Sequence, residues 1–189
     1  MNESIIENNL KERLILSGLK ELEKHGVKDF SLRRVATLAE VSCAAPYRHF
    51  KNKEELISAI INYIKDDWLL LSKQICEIFN SDYPTLIKEL CCASVKFWIA
   101  NGNFLSVLFL IQSSTKKEQK ESLSQFDIPV LNAIERFANI NGISKEKLTN
   151  LQSSIPSLVY GTIMLITRET NSTQQLLEQM KVSIDILLN

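Results

Sequence analysis

The chain has 189 residues, with 22 Lys plus Arg against 22 Asp plus Glu, and 45% of it is hydrophobic while only 5 residues are Gly and 4 are Pro. This excludes a fibrous or disordered chain and a uniformly basic binder of nucleic acid or membrane, and it leaves enough chain for one to two domains with a real core. A neutral total still permits one basic end, so the distribution of charge decides more than its sum.

The cysteines at 43, 76, 91 and 92 form no C-x-x-C and have no spaced His partner, so neither a metal nor a cofactor is expected. No basic stretch followed by an apolar run opens the chain, which reads as a cytoplasmic protein with reduced thiols. Within the uncharged window 148–167 the apolar part, 155–166, is too short to span a bilayer, and no membrane partner is expected.

Helical periodicity dominates and no alternating strand pattern stands out, so the fold class is all-α. The first helix is predicted over about 6–25, with Leu10, Leu14, Ile15, Gly18, Leu19 and Leu22 on one side and Gly26 as its stop. Ser31 caps a short second helix whose Leu32, Val35, Ala36 and Ala39 turn inward and Arg33, Arg34 and Thr37 outward. Ser42 follows after a tight turn and opens a third helix from Cys43 to about Phe50, the spacing of a helix-turn-helix. Asn52 and Glu55 make a capping-box-like start for a long fourth helix running to about Phe79. Further helices are predicted at 84–100, 103–112, 117–140, 145–169 and 172–188, with Asn101-Gly102-Asn103 and Asn141-Gly142 as turns. The expected division is a helix-turn-helix unit over 1–52 and a second helical unit over 53–189, with the connector helix at about 53–80.

From Lys24 to Lys53 seven cations face two carboxylates, a net +5 hidden by the neutral total. In a helix-turn-helix the second helix enters the major groove while its flanks grip phosphate, which requires small or polar residues at its tip and cations or hydroxyls around it. Cys43, Ala44, Tyr47 and Arg48 share one face at helical spacing, and Pro46, His49 and Phe50 turn towards the other helices. A basic solvated surface on any helical bundle would show the same charge and spacing.

The ordered set Phe30-Ser31-Leu32-Arg33-Arg34-Val35-Ala36, Val41-Ser42 and Tyr47-Arg48-His49-Phe50-Lys51-Asn52-Lys53-Glu54-Glu55-Leu56 resembles the DNA-binding domain of the tetracycline-repressor (TetR/AcrR) family over about residues 10–60. The resemblance implies a homodimeric transcription factor, usually a repressor and not an enzyme, that binds double-stranded operator DNA and responds to a small-molecule effector. It makes Ser31, Ser42, Tyr47, His49 and Lys53 phosphate contacts and Cys43, Ala44, Ala45, Tyr47 and Arg48 groove contacts, with Arg33 beside them on the exposed face. Two positions depart from the pattern. Glu40 stands where the family usually has Gly, at a cost of about 1 kcal/mol or more if φ stays positive. Pro46, about four residues into the expected recognition helix, would shorten or tilt its tip.

The C-terminal half reads first as core, but Trp98, Asn101, Phe104, Phe109, Gln112, Phe126 and Tyr160 would make an apolar chamber with a few polar groups, which suits an apolar or amphipathic effector. Apolar residues on both sides of 155–166 and the stripe Leu176, Leu177, Met180, Ile184, Leu187 and Leu188 suit a homodimer through the last two helices. An ordinary intramolecular hairpin would use the same stripes. Cys91-Cys92 suggests redox sensing less than core packing. The alternative reading is a helical ligand-binding or protein-interaction module that no longer reads DNA.

Overall fold

A computed structural model describes residues 2–101, 125–167 and 172–189, and the helices predicted at 103–112 and over the start of 117–140 lie outside them. The described residues are helical with no strand and divide into two compact units. Among the described residues, the first holds those up to Asp66, and the second holds 67–101, 125–167 and 172–189.

In the first unit α1 spans Asn2–His25, α2 Leu32–Leu38 and α3 Ala45–His49, and α4, Lys53–Ile78, contributes its residues to Asp66. Leu14, Leu22, Phe30, Val35, Ala36, Phe50, Leu56, Ile57, Ile60, Ile61 and Ile64 are buried and form its core. Gly18 lets α1 approach α4 closely: a Cβ there would stand 2.8 Å from Ile60 Cδ1. Gly26 ends α1 in the left-handed region at φ 68°, its N–H donating to the Leu22 carbonyl at 2.8 Å.

The end of α2 sets the turn of the helix-turn-helix. Glu40 has φ 54°, the left-handed value its position predicts. Its N–H donates to the Thr37 carbonyl at 3.1 Å and the Val41 N–H to that of Ala36 at 3.0 Å, the two bonds of a Schellman stop. Glycine normally takes that position because its φ costs other residues more. The turn keeps its shape because neighbouring bonds hold it, including one from the Arg13 guanidinium to the Ala39 carbonyl.

Helix α3 starts at Ala45 rather than Cys43, with Ala44 at its N-cap, so Pro46 falls in the first turn. An N–H there has no helical partner to lose, and α3, five residues long, is shorter than the stretch from Cys43 to Phe50 expected of it. Asn52 Oδ1 accepts the Glu55 N–H at 2.9 Å, and Glu55 Oε2 reaches back to the Lys51 N–H at 2.6 Å, closing the start of α4.

In the second unit α5 (Tyr83–Ala100) packs on α6 (Ile128–Asn141), α7 (Lys145–Ile166) and α8 (Thr173–Leu188), while α7 also packs on α6 and α8. Helix α6 begins at Ile128 because residues 125–127 form a turn and Pro129 sits in its first turn, so the single helix predicted over 117–140 does not run through this stretch. Asn141-Gly142 is the turn expected of it, with Gly142 at φ 63°. Lys88 pairs with Asp185 at 2.7 Å and Lys181 with Glu89 at 3.0 Å between α5 and α8, contacts open enough to water to add little. No described helix is long and apolar enough to cross a membrane.

Candidate functional site

The turn and α3 present a continuous exposed surface. Cys43, Ala44, Tyr47 and Arg48 are exposed, with Tyr47 61% accessible despite its large ring. Arg33 and Ser42 are exposed beside them, and Ser31, His49 and Lys53 are half-buried at the rim. Ala45 differs from this set: it is 7% exposed and packs inward with Pro46, so it offers nothing to a groove. Ser31 takes the N-cap position of α2 but its side chain makes no capping bond, which leaves the hydroxyl for another acceptor. Lys53 opens α4, where a cation and the free N–H groups of a helix start both favour phosphate.

Beneath this surface lies a group that the pattern of the sequence did not reveal. Glu21, on the inner stripe of α1, is 1% exposed. Its Oε1 accepts Arg34 Nε at 2.7 Å and the Ser31 backbone N–H at 3.2 Å. Arg34 also donates to the Asp29 carbonyl, and its bonds to Glu21 and the charges of Glu21 and Asp29 hold its guanidinium even more firmly protonated. One carboxylate thus fixes the start of α2 and takes up a cation expected to face outward. The signal was a carboxylate inside the stripe Leu14, Gly18, Leu22.

In the second unit Trp98 and Phe126 are buried with ring centroids 4.8 Å apart, and Phe97 stands 5.4 Å from Trp68 and 6.0 Å from Trp98. The Trp68 indole N–H donates to the Phe126 carbonyl at 2.8 Å. Tyr160 donates its hydroxyl to the Asp127 carboxylate, at 3.1 and 3.2 Å from its two oxygens. Burial pushes the Asp127 carboxyl up, opposed by this bond, and burial and the neighbouring acid push the Tyr160 phenol up. Asn101 turns back to the Phe97 carbonyl at 2.8 Å and closes the end of α5. Phe104, Phe109 and Gln112 lie outside the described residues. Asp127 escaped the sequence reading, since nothing in the spacing of 127 and 160 pairs them. Burial raises the thiols of Cys91 and Cys92 too, which suppresses the thiolate that redox chemistry needs. No group of three or more metal-ligating side chains occurs among the described residues.

A short α-helix, a fixed turn and a second helix exposing Tyr47 and Arg48 above a hydrophobic core define a helix-turn-helix protein of the DNA-binding class. Residues 14–60, which hold the helix-turn-helix, match the family model of bacterial regulatory proteins, tetR family. An HTH-type transcriptional regulator of Staphylococcus aureus is 29% identical over 86 residues, 46% of this chain and 45% of that protein, so the chain matches less than half the length of this relative. The fold resembles a TetR transcription regulator of Haloarcula marismortui, with TM-score 0.74 at 15% identity over 96% of this chain and 97% of that one. It also resembles the transcriptional regulator FadR of Bacillus subtilis in complex with stearoyl-CoA, with TM-score 0.71 at 14% identity over 94% and 97%.

Proposed function

We propose that this protein is a cytoplasmic transcriptional repressor that binds a roughly palindromic operator as a homodimer and is released by a small apolar or amphipathic effector. The observation that carries the DNA reading is the exposed face of Tyr47, Arg48, Cys43 and Ala44 behind a fixed turn, ringed by Ser31, Ser42, His49 and Lys53. In a dimer two such faces would enter successive major grooves about 34 Å apart. The working division is DNA binding over 1–52 and effector binding and dimerisation over 53–189, with α4 supplying residues to both. The aromatic group around Trp98 and Phe126, with Tyr160 at its polar edge, is the candidate effector wall, and the acyl-CoA bound by the Bacillus subtilis FadR supports an apolar or amphipathic ligand class.

The surface of α7 and α8 supports the dimer. An open groove of about 680 Å³ runs along Ser157, Leu158, Gly161, Leu165, Ile186 and Leu187, with Leu165 45% and Ile186 71% exposed. A Cβ on Gly161 would meet nothing within 4 Å, so a partner backbone could approach there. Sedimentation at micromolar concentration should show a dimer that Ile186→Glu converts to monomer; a parent that stays monomeric sinks the dimer reading.

The deciding experiment is fluorescence anisotropy on DNA from immediately upstream of the protein's own gene, beside a scrambled duplex, at two salt concentrations. Preferential, salt-sensitive binding is expected. Tyr47→Phe or Lys53→Gln should weaken binding to all sequences alike, while Arg48→Gln should also relax preference at one base by about 1–3 kcal/mol. Equal weak binding to genome-selected and scrambled fragments alike would leave a helical module without sequence-specific DNA binding.

A further inference from the structure

We infer that the second unit carries a site for a small amphipathic organic anion, a carboxylate or phosphate ester on a short apolar tail, in the groove between α4, α5 and α6. The groove has a volume of about 290 Å³ and is separate from the aromatic group around Trp98. Leu69, Lys73 and Cys76 fall on one stripe of α4, with Asn80 in the turn that follows it, and Pro129, Asn132, Ala133 and Arg136 on one stripe of α6. The two stripes face each other across the groove, and Tyr83 and Leu86 of α5 close one side.

Each facing stripe brings a cation, Lys73 from α4 and Arg136 from α6, and no Asp or Glu lines the groove. Neither cation makes an ion pair among the described residues. Two like charges on facing walls repel unless an anion sits between them, and a planar guanidinium can take an oxyanion through two parallel bonds. Glu77 acts on Cys76 at longer range without lining the groove. The floor is apolar: Leu86, Pro129 and Ala133 are buried, and Leu69 is half-buried. A charged mouth over an apolar floor suits a headgroup with a short tail, and the volume, at the lower end for small-molecule sites, excludes a long acyl chain lying wholly within it. Asn132, Tyr83 and Asn80 add hydrogen-bonding groups at the rim.

The test uses the full chain with octanoate and octyl phosphate as probes, octan-1-ol and octylammonium as controls, all at fixed ionic strength. Two readouts are taken: the melting temperature, and alkylation of Cys76, a half-buried thiol in the groove wall, followed by peptide mass spectrometry. At least one anionic probe should raise the melting temperature saturably and slow Cys76 alkylation, while the alcohol and the ammonium do neither. Arg136→Gln and Lys73→Gln should each weaken the anion about tenfold and remove the protection of Cys76. Equal stabilisation by the alcohol overturns the anion class. Stabilisation that survives both substitutions without protecting Cys76 moves the ligand elsewhere and overturns the site. No effect from either anion also overturns it. None of these readouts involves DNA, so the proposal stands or falls apart from the operator reading.

Discussion

Each unit draws a carboxylate in from water, and the two are treated in opposite ways. In the first, Glu21 is met by a guanidinium and a backbone N–H, so its negative charge is matched where it lies. In the second, Asp127 receives a tyrosine hydroxyl and no cation among the described residues, and burial works against its ionised form. The first arrangement fixes a backbone and suits a rigid surface offered to a partner. The second gives its acid, among the described residues, a single neutral hydroxyl as partner. The difference teaches that a buried acid is informative through its partners more than through its burial.

The contrast can be tested by substitution. The largest effect should come from Trp68→Ala, which empties the centre of the aromatic group and removes the indole donor to the Phe126 carbonyl; chemical denaturation should show a loss of about 3–5 kcal/mol. Glu21→Gln should cost about 1–3 kcal/mol, because a neutral amide removes the buried charge that Arg34 pairs with and weakens both charge-assisted bonds to Oε1, and hydrogen exchange at the start of α2 should rise with it. If that exchange stays unchanged, Glu21 does not fix the helix start.

Glu40→Gly should act in the other direction, adding about 1 kcal/mol by relieving the left-handed φ, or roughly 2–4 °C in melting temperature. Asp127 gives a pH signature. Its folded carboxyl sits above the ordinary value, so its contribution is fully present below the unfolded pKa, about 4, and is lost as pH rises through the folded one. Stability of the parent should therefore fall across that window relative to Asp127→Asn, in which Asn can still accept from Tyr160; superimposable pH profiles would remove the effect of burial. The smallest effect is expected for Pro46→Ala, within about 0.5 kcal/mol, since the first turn of α3 has no bond for proline to break.

Much of this was legible in the chain before any coordinates. Periodicity with caps located α1, α2, α5, α7 and α8 to within a few residues, because most join an apolar stripe to a clear stop such as Gly26, a start such as Ser31 or a turn such as Asn141-Gly142. The positive φ of Glu40 was implied by the resemblance, in which that position usually carries Gly. The start of α3 was misplaced by two residues because Ser42 looked like a cap, whereas the helix begins where Pro46 fits its first turn. Helix α6 was read too long because polar residues before Ile128 keep a helical rhythm that the turn at 125–127 interrupts. Exposure could be read for Tyr47 and Arg48 but not for Ala45, whose small side chain carries no polarity to betray which way it faces. Partners distant in sequence, Glu21 with Arg34 and Asp127 with Tyr160, leave no periodic trace, and only the folded chain brings them together.

The sharing of α4 between the units bears on where this chain can be cut. Leu56, Ile57, Ile60 and Ile61 all lie beyond Asn52, yet they are almost wholly shielded from water in the same unit as α1, α2 and α3. A fragment ending at Asn52 would keep the proposed DNA contacts other than Lys53 and lose the wall against which α1 packs, including the partner of Gly18. The smallest heritable or engineered module that carries this DNA-facing surface therefore has to take the first half of α4 with it, and a graft onto another regulator should be joined in the neighbourhood of Asp66 rather than at the start of the helix.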